Sequence, residues 1–261
     1  MNEVRLKASK LTIVILTFVL ITSLTQVNAG ESPENTDWKF NATVYLWGLS
    51  LDGETNADED IDISFSDIWD NLNFAIMGYL TARQGSWLVF GDIHYADLEG
   101  DDSTTFNFNG QDVSADFDIE VKQWVVHAGG GYTVSKSERH MTDIIAGVRY
   151  FYQDTELEFD SGQAQNLKVD DSADNLDAII GIFNTLKLNE KWYLNTYLDV
   201  GTGESEFTWQ GVALLGYQFK SVDAVFGYRH IYWDFEGDKD LGKGYNDLDF
   251  SGPIVGASFK F

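Results

Sequence analysis

The sequence predicts an all-β fold: an antiparallel, up-and-down transmembrane β-barrel of about ten strands, with eight or twelve as the neighbouring even counts. Three observations carry this. From Asp37 onward, stretches of about ten residues alternate apolar with mixed positions, the period of a strand with two unlike faces. The connections between them alternate short and long, and acidic residues gather on the long set. Composition agrees: 261 residues hold Phe 18, Tyr 12, Trp 8 and Gly 24 but only Pro 2 and no Cys, with a formal charge of -25. That many aromatics argue against a disordered acidic chain. The missing cysteines exclude thiolate metal or redox sites, and the charge excludes a nucleic-acid partner.

In the first segment Phe40, Ala42, Val44 and Leu46 share one face, opposite Asn41, Thr43, Tyr45 and Trp47. The second sets Phe74, Ile76, Gly78 and Leu80 against Ala75, Met77, Tyr79 and Thr81, and turns at 83–86. The third opposes Trp87, Val89, Gly91, Ile93 and Tyr95 to Leu88, Phe90, Asp92 and His94. Trp124 to Tyr132 and Ile144 to Tyr152 repeat the alternation, as do Ala178 to Leu186 and Trp192 to Val200. Trp209 to Phe219, Ala224 to Tyr232 and Val255 to Phe261 complete ten. Apolar faces that end in Trp or Tyr match side chains at a lipid headgroup level. Arg, Asp and His on the opposite faces suit a small polar lumen better than the core of a soluble sandwich. Thr104–Phe108 is read as part of a hairpin rising above the membrane, not as an eleventh strand.

Short connections fall at 83–86, 134–140, 188–191 and 219–223; long ones at 51–71, 99–119, 157–174 and 235–247, with 201–206 short but in the second set. Five windows over that second set (51–72, 97–120, 154–177, 201–206, 234–249) hold 32 acidic and 3 basic residues. An outer-membrane barrel has long loops outside and short turns in the periplasm. The acidic rim is therefore expected outward, where solvation or weak divalent binding would occupy residues such as Asp58, Asp60 and Asp62.

The N-terminus reads as an address. Arg5, Lys7 and Lys10 precede the apolar run 11–21, and Val27-Asn28-Ala29 offers small residues at a signal-peptidase site. The run is shorter than the roughly 20 residues a spanning helix needs. The expected organisation is a cleaved leader over 1–29, a short periplasmic segment over 30–36, and the barrel over 37–261.

By parity, the inward positions include Asp92, His94, His127, Arg149, Asp177 and Asp199, with Asn195, Tyr197, Gln210 and Arg229. Arg149 and Arg229 sit in similar settings, Gly147-Val148-Arg149-Tyr150 and Gly227-Tyr228-Arg229-His230. Buried charges need partners, so these arginines are expected to pair with lumen acids such as Asp92 and Asp199. The sharper alternative is a pore constriction or ligand ring. A catalytic reading would make His94 a base partnered by Asp92 on the same face, but no nucleophile or motif accompanies them. Ser66 is a candidate cap for a short helix through Leu72, either a lid over the mouth or a run into the next strand.

The chain closes on an alternating strand ending Ser258-Phe259-Lys260-Phe261, similar to the C-terminal assembly signal of bacterial outer-membrane proteins. With 64–72, Thr208-Trp209-Gln210 and Gly227-Tyr228-Arg229-His230, it resembles a poorly characterised family of small bacterial outer-membrane β-barrel proteins. The resemblance implies fold and compartment and brings no catalytic residues. The expectation is a non-enzymatic envelope or interaction protein of the bacterial outer membrane, without a cofactor. Its partners would be lipid, lipopolysaccharide, the barrel-assembly machinery through Phe259 and Phe261, and an extracellular ligand or cation at the acidic loops. The alternatives are a small cation-preferring channel and a lipid- or peptide-modifying enzyme.

Overall fold

In the computed structural model the described residues are 37–55, 60–108, 111–160, 167–235 and 245–261. The expected leader and the 30–36 segment lie outside them, as does Asp58. The strands are β1 (Lys39–Trp47), β2 (Ser50–Thr55), β3 (Asp60–Ile63), β4 (Leu72–Gln84), β5 (Trp87–Phe108) and β6 (Gln111–Lys136). They continue with β7 (His140–Asp160), β8 (Leu167–Lys187), β9 (Trp192–Gly203), β10 (Phe207–Gln218), β11 (Asp223–Asp234) and β12 (Tyr245–Lys260).

Ten of these close a ring. The order runs β1-β4-β5-β6-β7-β8-β9-β10-β11-β12, and β12 returns to β1. The seam is antiparallel from Asn41↔Lys260 to Trp47↔Ile254, and Phe40 and Phe261 exchange backbone hydrogen bonds beyond it. Closure removes the sheet edges, the condition a β-structure must meet in hydrocarbon. β2 continues the line of β1 past Gly48 by pairing with β12, and β3 hairpins back onto it.

Periodicity sets which face meets lipid. Val44, Leu80, Ile180 and Val255 are each about 60% exposed, far more than apolar side chains in a sandwich core. The outward aromatics fall in two girdles. Trp87 pairs with Tyr132 and Tyr95 with Trp124 across β5 and β6, with rings 5.1 and 4.3 Å apart. Each strand thus carries aromatics eight residues apart, as does β10 with Trp209 and Tyr217. Eight residues rise about 26 Å along a strand, close to an apolar band about 25 Å tall.

The stretches expected as long connections are, in their described residues, largely strand. β5 and β6 stay in register from Trp87↔Tyr132 to Phe108↔Gln111, and β7 with β8 to Phe159↔Leu167. These strands of 21 to 26 residues are about twice the 9–11 that span a bilayer. They form a tall wall on one side of the ring, while β9, β10 and β11 have 12 residues each. The short turns and the strand ends at Lys39 and Lys260 share the opposite rim.

The short helix α1 (Phe65–Asp70) exists, but its cap is Ser64, not Ser66. Ser64 Oγ accepts from Asp67 N while Asp67 Oδ2 accepts from Ser64 N, a reciprocal capping box. Ile68 packs on the luminal cluster; Phe65 and Trp69 stay exposed.

Candidate functional site

The inward faces build three layers along the bore. Nearest the tall end lies an apolar plug: Phe151, Trp233, Phe235 and Phe250 are fully buried with Leu248 and Val125. Phe151 on β7 meets Phe250 on β12 at 6.1 Å between ring centroids. These strands are diametrically opposed in the ring, so the rings meet across the whole bore. Large apolar rings dominate this level of a lumen that the sequence predicts to be narrow and polar, with buried His94 and Asn175 in the same cross-strand row. Large aromatics fill it because the inward positions of β7, β11 and β12 converge there.

One rung further in lies a charged partition. Pairing puts Asp92, His127, Arg149 and Asp177 in one cross-strand row over β5 to β8. Arg149 reaches past its neighbour Asp177: Nη2 donates to Asp199 Oδ1 at 2.5 Å, Nη1 to Thr208 Oγ1 at 2.5 Å and Nε to His127 Nε2 at 2.7 Å. Thr208 donates onward to the Tyr232 carbonyl. From the other side, Arg229 Nη2 lies 2.8 Å from Asp92 Oδ2, and its other donors meet Tyr45 OH and Gln210 Oε1. Tyr45 OH in turn donates to Asp92 Oδ1 at 2.8 Å.

His127 joins the halves. Its Nε2 accepts from Arg149, which places the ring proton on Nδ1, 3.5 Å from Asp92 Oδ2. Each guanidinium also faces an indole: Arg229 lies 4.8 Å from the Trp47 ring and Arg149 5.7 Å from Trp233, a cation–π geometry. Room comes from glycine. Gly129 and Gly147 pair beside this row, and a Cβ at Gly129 would stand 2.7 Å from Phe90 Cζ.

The structure thus joins Arg149 with Asp199 and Arg229 with Asp92, and leaves His94 out. His94 is buried edge-on against Trp47 at 5.3 Å, with neither ring nitrogen hydrogen-bonded among the described residues. Asp92 turns to Arg229 and Tyr45, so the Asp92–His94 pairing that a catalytic reading needs does not form. Asp177 accepts from Asn175 and the Ser205 backbone. Asp60 and Asp62 are exposed on β3, and no group of three or more metal-ligating side chains occurs among the described residues. Phe259 and Phe261 point outward and are exposed.

Sequence reading missed an ion pair near the short-turn rim. Arg83 grips Asp143 with two hydrogen bonds of 2.9 and 2.5 Å, and Thr133 donates to the same carboxylate at 2.6 Å. Arg83 shares inward parity with Tyr79 and Thr81, a signal hidden by reading it as the start of the turn. Below the partition, a cavity of about 350 Å³ runs to this rim.

A closed ten-strand ring with an apolar outer band defines a transmembrane β-barrel. No family model matches the chain, and no curated protein matches it in sequence. Among solved structures it is similar to the translocator domain of the autotransporter NalP from Neisseria meningitidis, at 11% identity and TM-score 0.44, over 98% of this chain and 97% of that one. It is also similar to Ail of Yersinia pestis in complex with the heparin analogue sucrose octasulfate, at 11% identity and TM-score 0.36, over 86% and 98%. A third is the toluene transporter TodX of Pseudomonas putida, at 9% identity and TM-score 0.29, over 85% and 89%.

Proposed function

We propose that this protein is a non-enzymatic outer-membrane barrel with a sealed lumen, acting through its surfaces and not as an open pore. The observation that carries the reading is the partition itself: hydrogen bonds from Arg149 and Arg229 link strands around the ring, under an aromatic plug that closes between opposed walls. A charged ring can set selectivity only where ions pass it, and here both guanidinium groups are already spent on buried partners. Structural pairing explains these residues without a conducting path.

The tall acidic wall faces outward in this reading, and the short turns face the periplasm. The leader over 1–29 directs export. Lipid and lipopolysaccharide surround the apolar band, and the assembly machinery reads Phe259 and Phe261 on the closing strand. The experiment is solute uptake by proteoliposomes carrying the folded barrel. They are expected to swell in isotonic arabinose no faster than protein-free liposomes; faster swelling, scaling with the amount of folded protein, contradicts the sealed lumen.

A further inference from the structure

The cavity of about 350 Å³ below the partition falls within the range of small-molecule sites. Its inner end is Asp92, His127, Arg229 and Gln210; its middle is apolar, with Phe90, Val212, Leu214 and Ile254; its mouth lies among strand ends at the short-turn rim. The charges at its surface do not balance. Arg229 is held by Asp92, Arg83 by Asp143 and Lys260 by Asp223. Lys187 also lines the mouth and has no ion-pair partner among the described residues. An apolar chamber, closed at one end and carrying one surplus cation near its mouth, is asymmetric in a way that selects a ligand.

We infer that this chamber binds a small monoanionic amphiphile from the short-turn side, apolar body inward against Leu214 and Phe90, anionic head at Lys187. The inference rests on the partition closing the inner end. The chain as a whole is strongly acidic, so an anion is drawn to this rim by local charge alone, and the opposite rim repels it.

The probe is 2-naphthoate, titrated calorimetrically into the folded full barrel in lipid nanodiscs, with empty discs subtracted. One saturable site is expected. Leu214→Trp fills the chamber and abolishes it. Lys187→Ala, at an exposed rim position that leaves folding intact, weakens binding about fivefold, the upper range for an exposed ion pair. The uncharged analogue 2-naphthalenemethanol binds the native barrel and Lys187→Ala equally. Non-saturable uptake by the native barrel, or saturable binding that both variants retain, overturns the proposal. Conductance of the same preparation reads the partition separately: current steps overturn the sealed lumen, whereas a silent barrel that binds nothing overturns only the chamber.

Discussion

At the scale of residues, Arg149 shows how a charge is kept inside a membrane-spanning wall. It is fully buried, and all three of its donor nitrogens meet an acceptor, which offsets the cost of leaving water. Removing one partner exposes that cost. Asp199→Leu alone is expected to destabilise the barrel by about 3–5 kcal/mol, whereas Arg149→Met with Asp199→Leu recovers most of the loss; urea unfolding followed by tryptophan fluorescence measures both. Tyr45→Phe keeps the ring but deletes the hydroxyl that bridges Arg229 and Asp92, with an expected cost of about 1.5–3 kcal/mol in the same assay. Parity along the strands was enough to place Asp92, Arg149, Asp199 and Arg229 inside. It could not say that Arg149 would pass over adjacent Asp177, because partner choice depends on side-chain reach across a curved wall. Nor could it find the Arg83–Asp143 pair, since a residue at a strand end shows too little periodicity to betray its face.

At the scale of elements, the tall wall of β5 to β8 is a balance of backbone pairing against like charge. Glu99, Glu120, Glu156 and Asp170 stand directly opposite one another in a single cross-strand row, an arrangement that weakens pairing. Lys168 relieves it at one end, 2.7 Å from Glu156 and 3.1 Å from Glu158. Its hydrogen bond holds the Glu156 carboxyl below its ordinary range, and the two glutamates raise the Lys168 ammonium. A lowered carboxylate stabilises the fold above its unfolded value and loses that effect as pH falls through the depressed one; a raised ammonium loses its effect as pH rises through the elevated one. Pairing between Glu156 and Asp170 is therefore expected to be firmest near neutral pH and to loosen in acid. Amide exchange corrected for intrinsic rates should show this, and Lys168→Ala should flatten the acid limb. A second prediction concerns length. Cutting 101–118 and joining Gly100 to its register partner Ile119 through Asn-Gly should leave the ten-strand ring folded, read as a heat-modifiable band in electrophoresis. The alternation rules found all ten ring strands, because the lipid-facing stretches are strictly periodic. They read the acidic extensions as loops because polar residues on both faces erase the period that marks a strand.

At the scale of the whole molecule, an outer surface of lipid-facing side chains surrounds a bore crossed twice, by rings and by ion pairs. The outer surface was legible, since girdles eight residues apart and a closing aromatic strand are written directly in the chain. The contact across the bore was not. It depends on Phe151 meeting Phe250 across the barrel, and residues 99 positions apart carry no local signal of contact. The most direct test is planar-bilayer recording of the native barrel, refolded and verified by heat-modifiability. A silent membrane with folded protein inserted is the predicted result; steady, discrete current steps would contradict it.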